Sequence, residues 1–217
     1  MNSLTRTCLF AVLFTRLVCL PAAADFDKGI AAYQANDLPL AYKEFRASAD
    51  EGHADSQFNV ALMLEKGIGV VKDEKKSVAW YEKSAVNGNA AAQFNLGVLY
   101  ENGRGTAVDF EKANEWYRKA AVQGDALAIG NLGMLYLRGD GVKANPVAGV
   151  ALLLMSVTLD PSPENNARKN ITGSRGLTPA TVGEAQTLST EMSSAKNLLV
   201  PLDAYLKKGE AKPPVGQ

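Results

Sequence analysis

The feature that most limits what this chain can fold into is a gapless repeat with a period of 36 residues. Asn59, Asn95 and Asn131 fall in one register, as do Gly67, Gly103 and Gly139, and Gly69, Gly105 and Gly141. Further along, Trp80-Tyr81 overlies Trp116-Tyr117, Ala85 overlies Ala121, and Gly88 overlies Gly124. A unit this short cannot bury an apolar face alone, so neighbours must stack and share one continuous core. That requirement predicts a solenoid before any single element is assigned.

Each unit reads as two helices. In the second unit Ala90, Phe94, Gly97, Val98 and Tyr100 recur at helical spacing. Gly103 and Gly105 then stop the helix by supplying left-handed backbone without a Cβ penalty. Asp73, Asp109 and Asn145 stand where the second helix needs an N-cap, and Pro146 follows at the first helical position. The second helix continues through Ala113, Trp116, Tyr117, Ala120 and Ala121 to Gly124. Small residues at fixed positions predict close helix approach, with Trp and Tyr filling the space between units. Ahead of the repeats, Phe26, Ile30 and Tyr33 mark one helix and Ala41, Phe45 and Ala49 another. This pair ends at Gly52 and has a shorter turn at Asn36-Asp37.

The pattern A-x-x-x-x-x-L-G-x-x-Y-x-x-G-x-G, followed by Asp and then W-Y-x-x-A-A-x-x-G, resembles the Sel-1-like repeat. That repeat is a relative of the tetratricopeptide repeat with a longer inter-helix turn. The resemblance covers three units, 53–88, 89–124 and 125–160. The segment from Gly29 to Ala41, within 25–52, is similar to the tetratricopeptide-like opening of exported bacterial members. The implied fold is all-α: an α-solenoid of stacked antiparallel helix pairs with C-terminal capping helices. The implied role is an adaptor that binds a protein or peptide, with no reaction common to the family. Unit one departs at Ala61 and Leu64, where the others have Gly and Tyr, and unit two has Thr106 where Val is usual. Unit three has Leu152-Leu153 for Trp-Tyr and Asp160 for Gly, which fits a terminal unit facing a cap.

Both ends of the chain carry their own signals. Arg6, the apolar run Cys8 to Leu20, and Pro21-Ala22-Ala23-Ala24 before Asp25 form a secretory leader, 1–24, with an A-x-A-like cleavage site near Ala24. Arg16 interrupts the run, and Val18 is a poor neighbour for lipid attachment at Cys19. The expected destination is the periplasm or the exterior. Both cysteines lie in this segment, so the exported body relies on packing without disulfides. Downstream of the repeats, 161–208 reads as capping helices. Pro161-Ser-Pro-Glu breaks the chain, Asn165 to Ile171 suggests a short helix, and Thr178-Pro179 opens a longer one through Val182, Ala185, Leu188, Ser189 and Met192. Residues 198–206 are apolar enough to fold back as a lid, and 209–217 reads as a disordered tail.

Composition excludes some partners. With 23 basic and 23 acidic side chains the formal charge is zero, which argues against nucleic acid, since that partner requires a basic surface excess. The body has no stretch approaching the roughly 20 apolar residues of a spanning helix, so no membrane insertion of the exported chain is expected. Catalytic machinery is equally thin. The single histidine, His53, lies in an inter-repeat turn where the other units have Asn89 and Asp125, which suggests a solvated turn residue. One His and no cysteine in the body make no metal cluster. Gly103-Arg104-Gly105 lacks the strand and the Lys-Ser/Thr of a phosphate loop. Glu65 and Glu101 share a register and are expected to be solvated. No catalytic, cofactor or metal residue is therefore assigned. The cysteine-rich secreted branch of the resembling family is linked to β-lactam binding or hydrolysis. Cell-wall-fragment or β-lactam binding is thus the alternative to a non-catalytic adaptor.

By resemblance, the first helix of each unit lines the concave face. The candidate groove is Asp55, Phe58, Asn59, Leu62, Glu65 and Lys66 in unit one, and Ala91, Phe94, Asn95, Val98, Glu101 and Asn102 in unit two. Unit three adds Leu127, Asn131, Met134, Leu137 and Arg138. Phe58, Leu62, Phe94, Val98, Met134 and Leu137 form an apolar strip suited to an apolar helix or extended segment. The asparagine amides either hold a peptide backbone or bond between neighbouring helices. Peptide-clamp relatives that seize a terminal carboxylate use Lys where Phe58 and Phe94 stand, so these two positions do not supply such a clamp.

Overall fold

The computed structural model describes residues 26–210. Among these residues every element is a helix: eleven helices and no strand. The opening pair is α1 (Phe26–Gln34) and α2 (Leu38–Asp50). The three repeats are α3 (Ala54–Lys66) with α4 (Glu74–Val86), α5 (Ala90–Asn102) with α6 (Phe110–Val122), and α7 (Ala126–Arg138) with α8 (Pro146–Leu159). Three more follow: α9 (Ala167–Gly173), α10 (Pro179–Ser194) and α11 (Leu199–Glu210). Each helix from α1 to α8 packs on the next in sequence, and α10 packs on α8. The predicted solenoid of helix pairs is thus the observed fold.

Local chemistry places the helix ends where the sequence predicts them. Asp73, Asp109 and Asn145 each accept the backbone N–H three residues on, at 2.9, 2.9 and 3.0 Å. Thr178 does the same for Thr181 at 3.1 Å. Gly67, Gly103 and Gly139 close the first helices in left-handed backbone. The second glycine of each turn has a different task. Gly69, Gly105 and Gly141 sit with φ of +68°, +70° and +66° against the first residues of the preceding second helix. A Cβ on Gly105 would strike the Glu74 carbonyl, and one on Gly141 would strike the Phe110 backbone. This glycine sets how closely successive units approach.

The core runs the length of the stack. Tyr81, Tyr117 and Phe45 are buried at its centre among Ala41, Ala85, Ala113, Ala120 and Ala121. The Trp expectation holds fully for Trp80 and only in part for Trp116. Trp80 is buried beneath Arg46 and Lys83, whose charges lie 4.7 and 3.9 Å from its ring. Trp116 is only half-buried, with Lys119 at 3.7 Å. In the unit before it the residue matching Arg46 is Glu82, which instead accepts the Tyr100 hydroxyl at 2.8 Å. At the C-terminus, α11 continues through Gly209 to Glu210, two residues into the segment read as tail. Residues 1–25, with the segment read as a leader, and residues 211–217 lie outside the described residues.

Candidate partner-binding face

The first helices α3, α5 and α7 carry the strip: Phe58 and Phe94 share one register, Leu62, Val98 and Met134 another, and Leu137 takes the register of Glu65 and Glu101. Phe58, Leu62, Phe94, Val98, Met134 and Leu137 are all half-buried. Phe58 packs against Tyr81 with ring centroids 5.8 Å apart, and Phe94 against Tyr117 at 6.1 Å. Each phenylalanine is therefore anchored on the second helix of its own unit and retains partial exposure. Gly130 occupies the corresponding place in unit three. Leu137 leans on α8, where a Cβ on Gly149 would come within 2.6 Å of its Cγ. Asp55, Lys66, Ala91, Asn102, Leu127 and Arg138 are exposed beside the strip, and Asn59, Asn95, Asn131 and Glu101 are half-buried.

The two glutamates are not solvated as the sequence suggested. Glu65, 6% exposed, accepts the Tyr81 hydroxyl at 2.8 Å and Arg104 Nη2 at 2.7 Å. Glu101 accepts the Tyr117 hydroxyl at 2.7 Å and Arg138 Nη2 at 2.6 Å. Each clasp thus joins two helices of one unit to an arginine of the next. Burial pushes the Glu65 carboxyl up, but bonds from Tyr81 and Arg104 and the charge of Lys66 outweigh it and hold it below the usual range. Burial, then the Glu101 charge, pushes the Tyr117 hydroxyl well above its ordinary range. A carboxylate held ionised by a phenol and a guanidinium positions helices; it is a poor proton donor near neutral pH. In unit three Leu137 and Leu153 replace Glu and Tyr together, so no buried group loses its partner.

Two of the asparagine amides stay on their own helices, and the third bonds to the neighbouring helix. Asn59 and Asn95 donate to the carbonyls of Asp55 and Ala91 on their own helices, both at 2.8 Å. Asn131 donates instead to the Tyr117 hydroxyl at 3.1 Å. Further amide bonds come from residues the sequence reading passed over, and those to Ala49 and Ala85 cross between units. Gln57 and Gln93 donate to the Ala49 and Ala85 carbonyls at 3.1 and 3.0 Å and accept from Asn87 and Gln123 at 2.9 and 2.8 Å. Their shared register was the available signal. His53 is exposed, yet its Nδ1 lies 2.9 Å from Ser48 Oγ. Ser48 is fully buried and also receives the Ser56 hydroxyl at 2.6 Å, so this histidine and serine close a helix junction.

The C-terminal helices meet the stack on different sides. Asp203 of α11 binds Arg118 of α6 at 2.6 and 2.7 Å, and α11 packs on α10 and α8. The segment read as a possible lid is thus tied to the second-helix side. The element that adjoins the strip is α9, which shares a cavity with Met134, Leu137 and Arg138. Among the described residues no helix is long and apolar enough to cross a membrane, and no three or more His, Cys, Asp or Glu are grouped to hold a metal ion.

Helix pairs of one length, stacked through glycine turns and inter-unit clasps, define an α-solenoid. Within that class the chain belongs to the Sel1-repeat proteins: the family described as Sel1 repeat matches residues 54–89, 90–125 and 126–160. Such solenoids are in general protein-interaction scaffolds. The fold is similar to that of a Sel1 repeat protein from Oxalobacter formigenes, with a TM-score of 0.64 and 24% identity over 89% of this chain and 92% of the other. It is also similar to a protective antigen of uropathogenic Escherichia coli strains that displays an SLR fold, with a TM-score of 0.52 and 26% identity. That likeness covers 87% of this chain but 50% of the antigen. No curated protein sequence matches the chain.

Proposed function

We propose that the chain is an exported, non-catalytic scaffold whose first-helix layer holds a protein or peptide. The observation that carries this reading is the alignment of six half-buried apolar side chains along α3, α5 and α7 while α11 is fastened elsewhere. In a solenoid of helix pairs the first helices form the inner, concave layer. Apolar side chains there supply anchors, and the polar residues beside them, Asp55, Asn59, Lys66, Asn95, Asn102, Asn131 and Arg138, supply the rim. Export rests on the leader, and the intact mass of the secreted protein tests it: a chain beginning at or near Asp25 is expected, and one retaining Met1 overturns it. The groove is tested by chemical crosslinking and pull-down from the envelope fraction with wild type and with Phe94→Asp/Val98→Asp. The expected result is a partner held by wild type and lost by the variant, with helicity unchanged. Retention of that partner by a folded variant overturns the reading.

A further inference from the structure

Where the apolar strip reaches α9, the structure holds a cavity of about 510 Å³ between the last turn of α7 and the segment from α9 to Gly176. Its volume lies within the range of small-ligand sites. Met134, Leu137 and Pro146 give it an apolar side, and three cations, Arg138, Lys169 and Arg175, line it as well. The cations differ in what they already hold. Arg138 is committed on both sides, with Nε 2.6 Å from Asp140 and Nη2 2.6 Å from Glu101. Lys169 and Arg175 are exposed, and neither has an ion pair among the described residues. Of the lining residues none is acidic.

We infer that this cavity receives the carboxyl terminus of a peptide whose last side chains are apolar. The inference rests on the groove reading above and adds a direction and a terminus to it. Two uncommitted cations favour a carboxylate, and a guanidinium binds it with paired, charge-assisted bonds. The apolar side takes the terminal side chains. The strip runs from α3 to α7 and meets α9 at this cavity, so the site suits a chain end more than a segment passing through. The clamp positions on the first helices are filled by Phe58 and Phe94; here the cations come from the cap instead.

The test uses the full chain and labelled peptides ending in Leu-Phe, one with a free carboxyl terminus and one amidated, read by fluorescence anisotropy at low and high salt. The free acid is expected to bind about tenfold or more tightly than the amide, since a charge-assisted contact is lost. The gap should narrow as salt rises. Lys169→Gln/Arg175→Gln should abolish it while leaving the melting temperature unchanged, because both side chains are exposed. Equal binding of acid and amide overturns the carboxylate site and leaves the groove reading standing. No binding of either form up to about 1 mM, a bound of roughly 4 kcal/mol, overturns the carboxylate site; retained capture by wild type in the pull-down shows the groove reading separately. Tighter binding by an amidated peptide with an internal glutamate overturns the terminal assignment. Tighter binding by a peptide copying residues 212–217 makes the chain's own terminus the occupant and also overturns it.

Discussion

Units one and two are built differently from unit three, although all three share a register. In the first two, a buried or half-buried glutamate takes a tyrosine hydroxyl from its own second helix and an arginine from the following unit. In the third, Leu137 and Leu153 stand in the same places and the following element is a cap. Hydrogen bonds are directional, so the clasp fixes how one unit sits on an almost identical neighbour, where apolar contact alone would tolerate sliding. At the end of the stack no further repeat has to be placed. Apolar packing against α10 then suffices, and Arg118–Asp203 ties down α11.

The hardest way to break the contrast is Tyr117→Ala. It empties a fully buried site and takes from Glu101 one of its two partners, and should cost about 3–5 kcal/mol in urea unfolding. Glu65→Ala should cost about 2–3 kcal/mol, because the Tyr81 hydroxyl loses its acceptor in a buried setting while Arg104 can rehydrate. The Glu65 carboxyl is held below its ordinary value of 4.5 in the fold. Its contribution is therefore complete above that pH and is lost as pH falls below it. An acid titration of stability should show a shallower fall for Glu65→Gln than for wild type. Trp116→Ala should cost only about 1–2 kcal/mol, since that ring is half-buried. The smallest effect is expected for Arg118→Ala, about 1 kcal/mol for a partly exposed pair. Hydrogen exchange should then rise in α11 and leave α3 to α6 unchanged. A uniform rise would mean that the cap holds the whole stack together.

What could be read from sequence was whatever is local or periodic. Asp73, Asp109, Asn145 and Thr178 cap helices through bonds three residues long, and the period placed every turn glycine. The state of Glu65 and Glu101 was not legible, because their arginines come from different registers. Arg104 lies in an inter-helix turn 39 residues on, and Arg138 in a helix 37 residues on. The side taken by α11 depends on a bond across 85 residues, which no periodicity announces. How far Trp116 is covered was not legible, because that depends on whether the preceding unit offers an arginine or a glutamate. The strip itself was legible from register, whereas the cavity beside α9 requires the fold of the cap.

The second turn glycines, together with Gln57 and Gln93, give the molecule repeated seams at which it can lengthen. Gly105 seats on the unit before it, and Gln93 reaches back to Ala85 while Gln123 of the same unit donates to Gln93. A duplicate of residues 89–124 inserted after Val122-Gln123-Gly124 would find every mate already in place. Unit three offers no such insertion point, because Ile129 replaces the glutamine and its far side is committed to the cap. A longer relative made by duplication would therefore gain length in the middle and keep its two ends, and a loss of length would remove whole middle units.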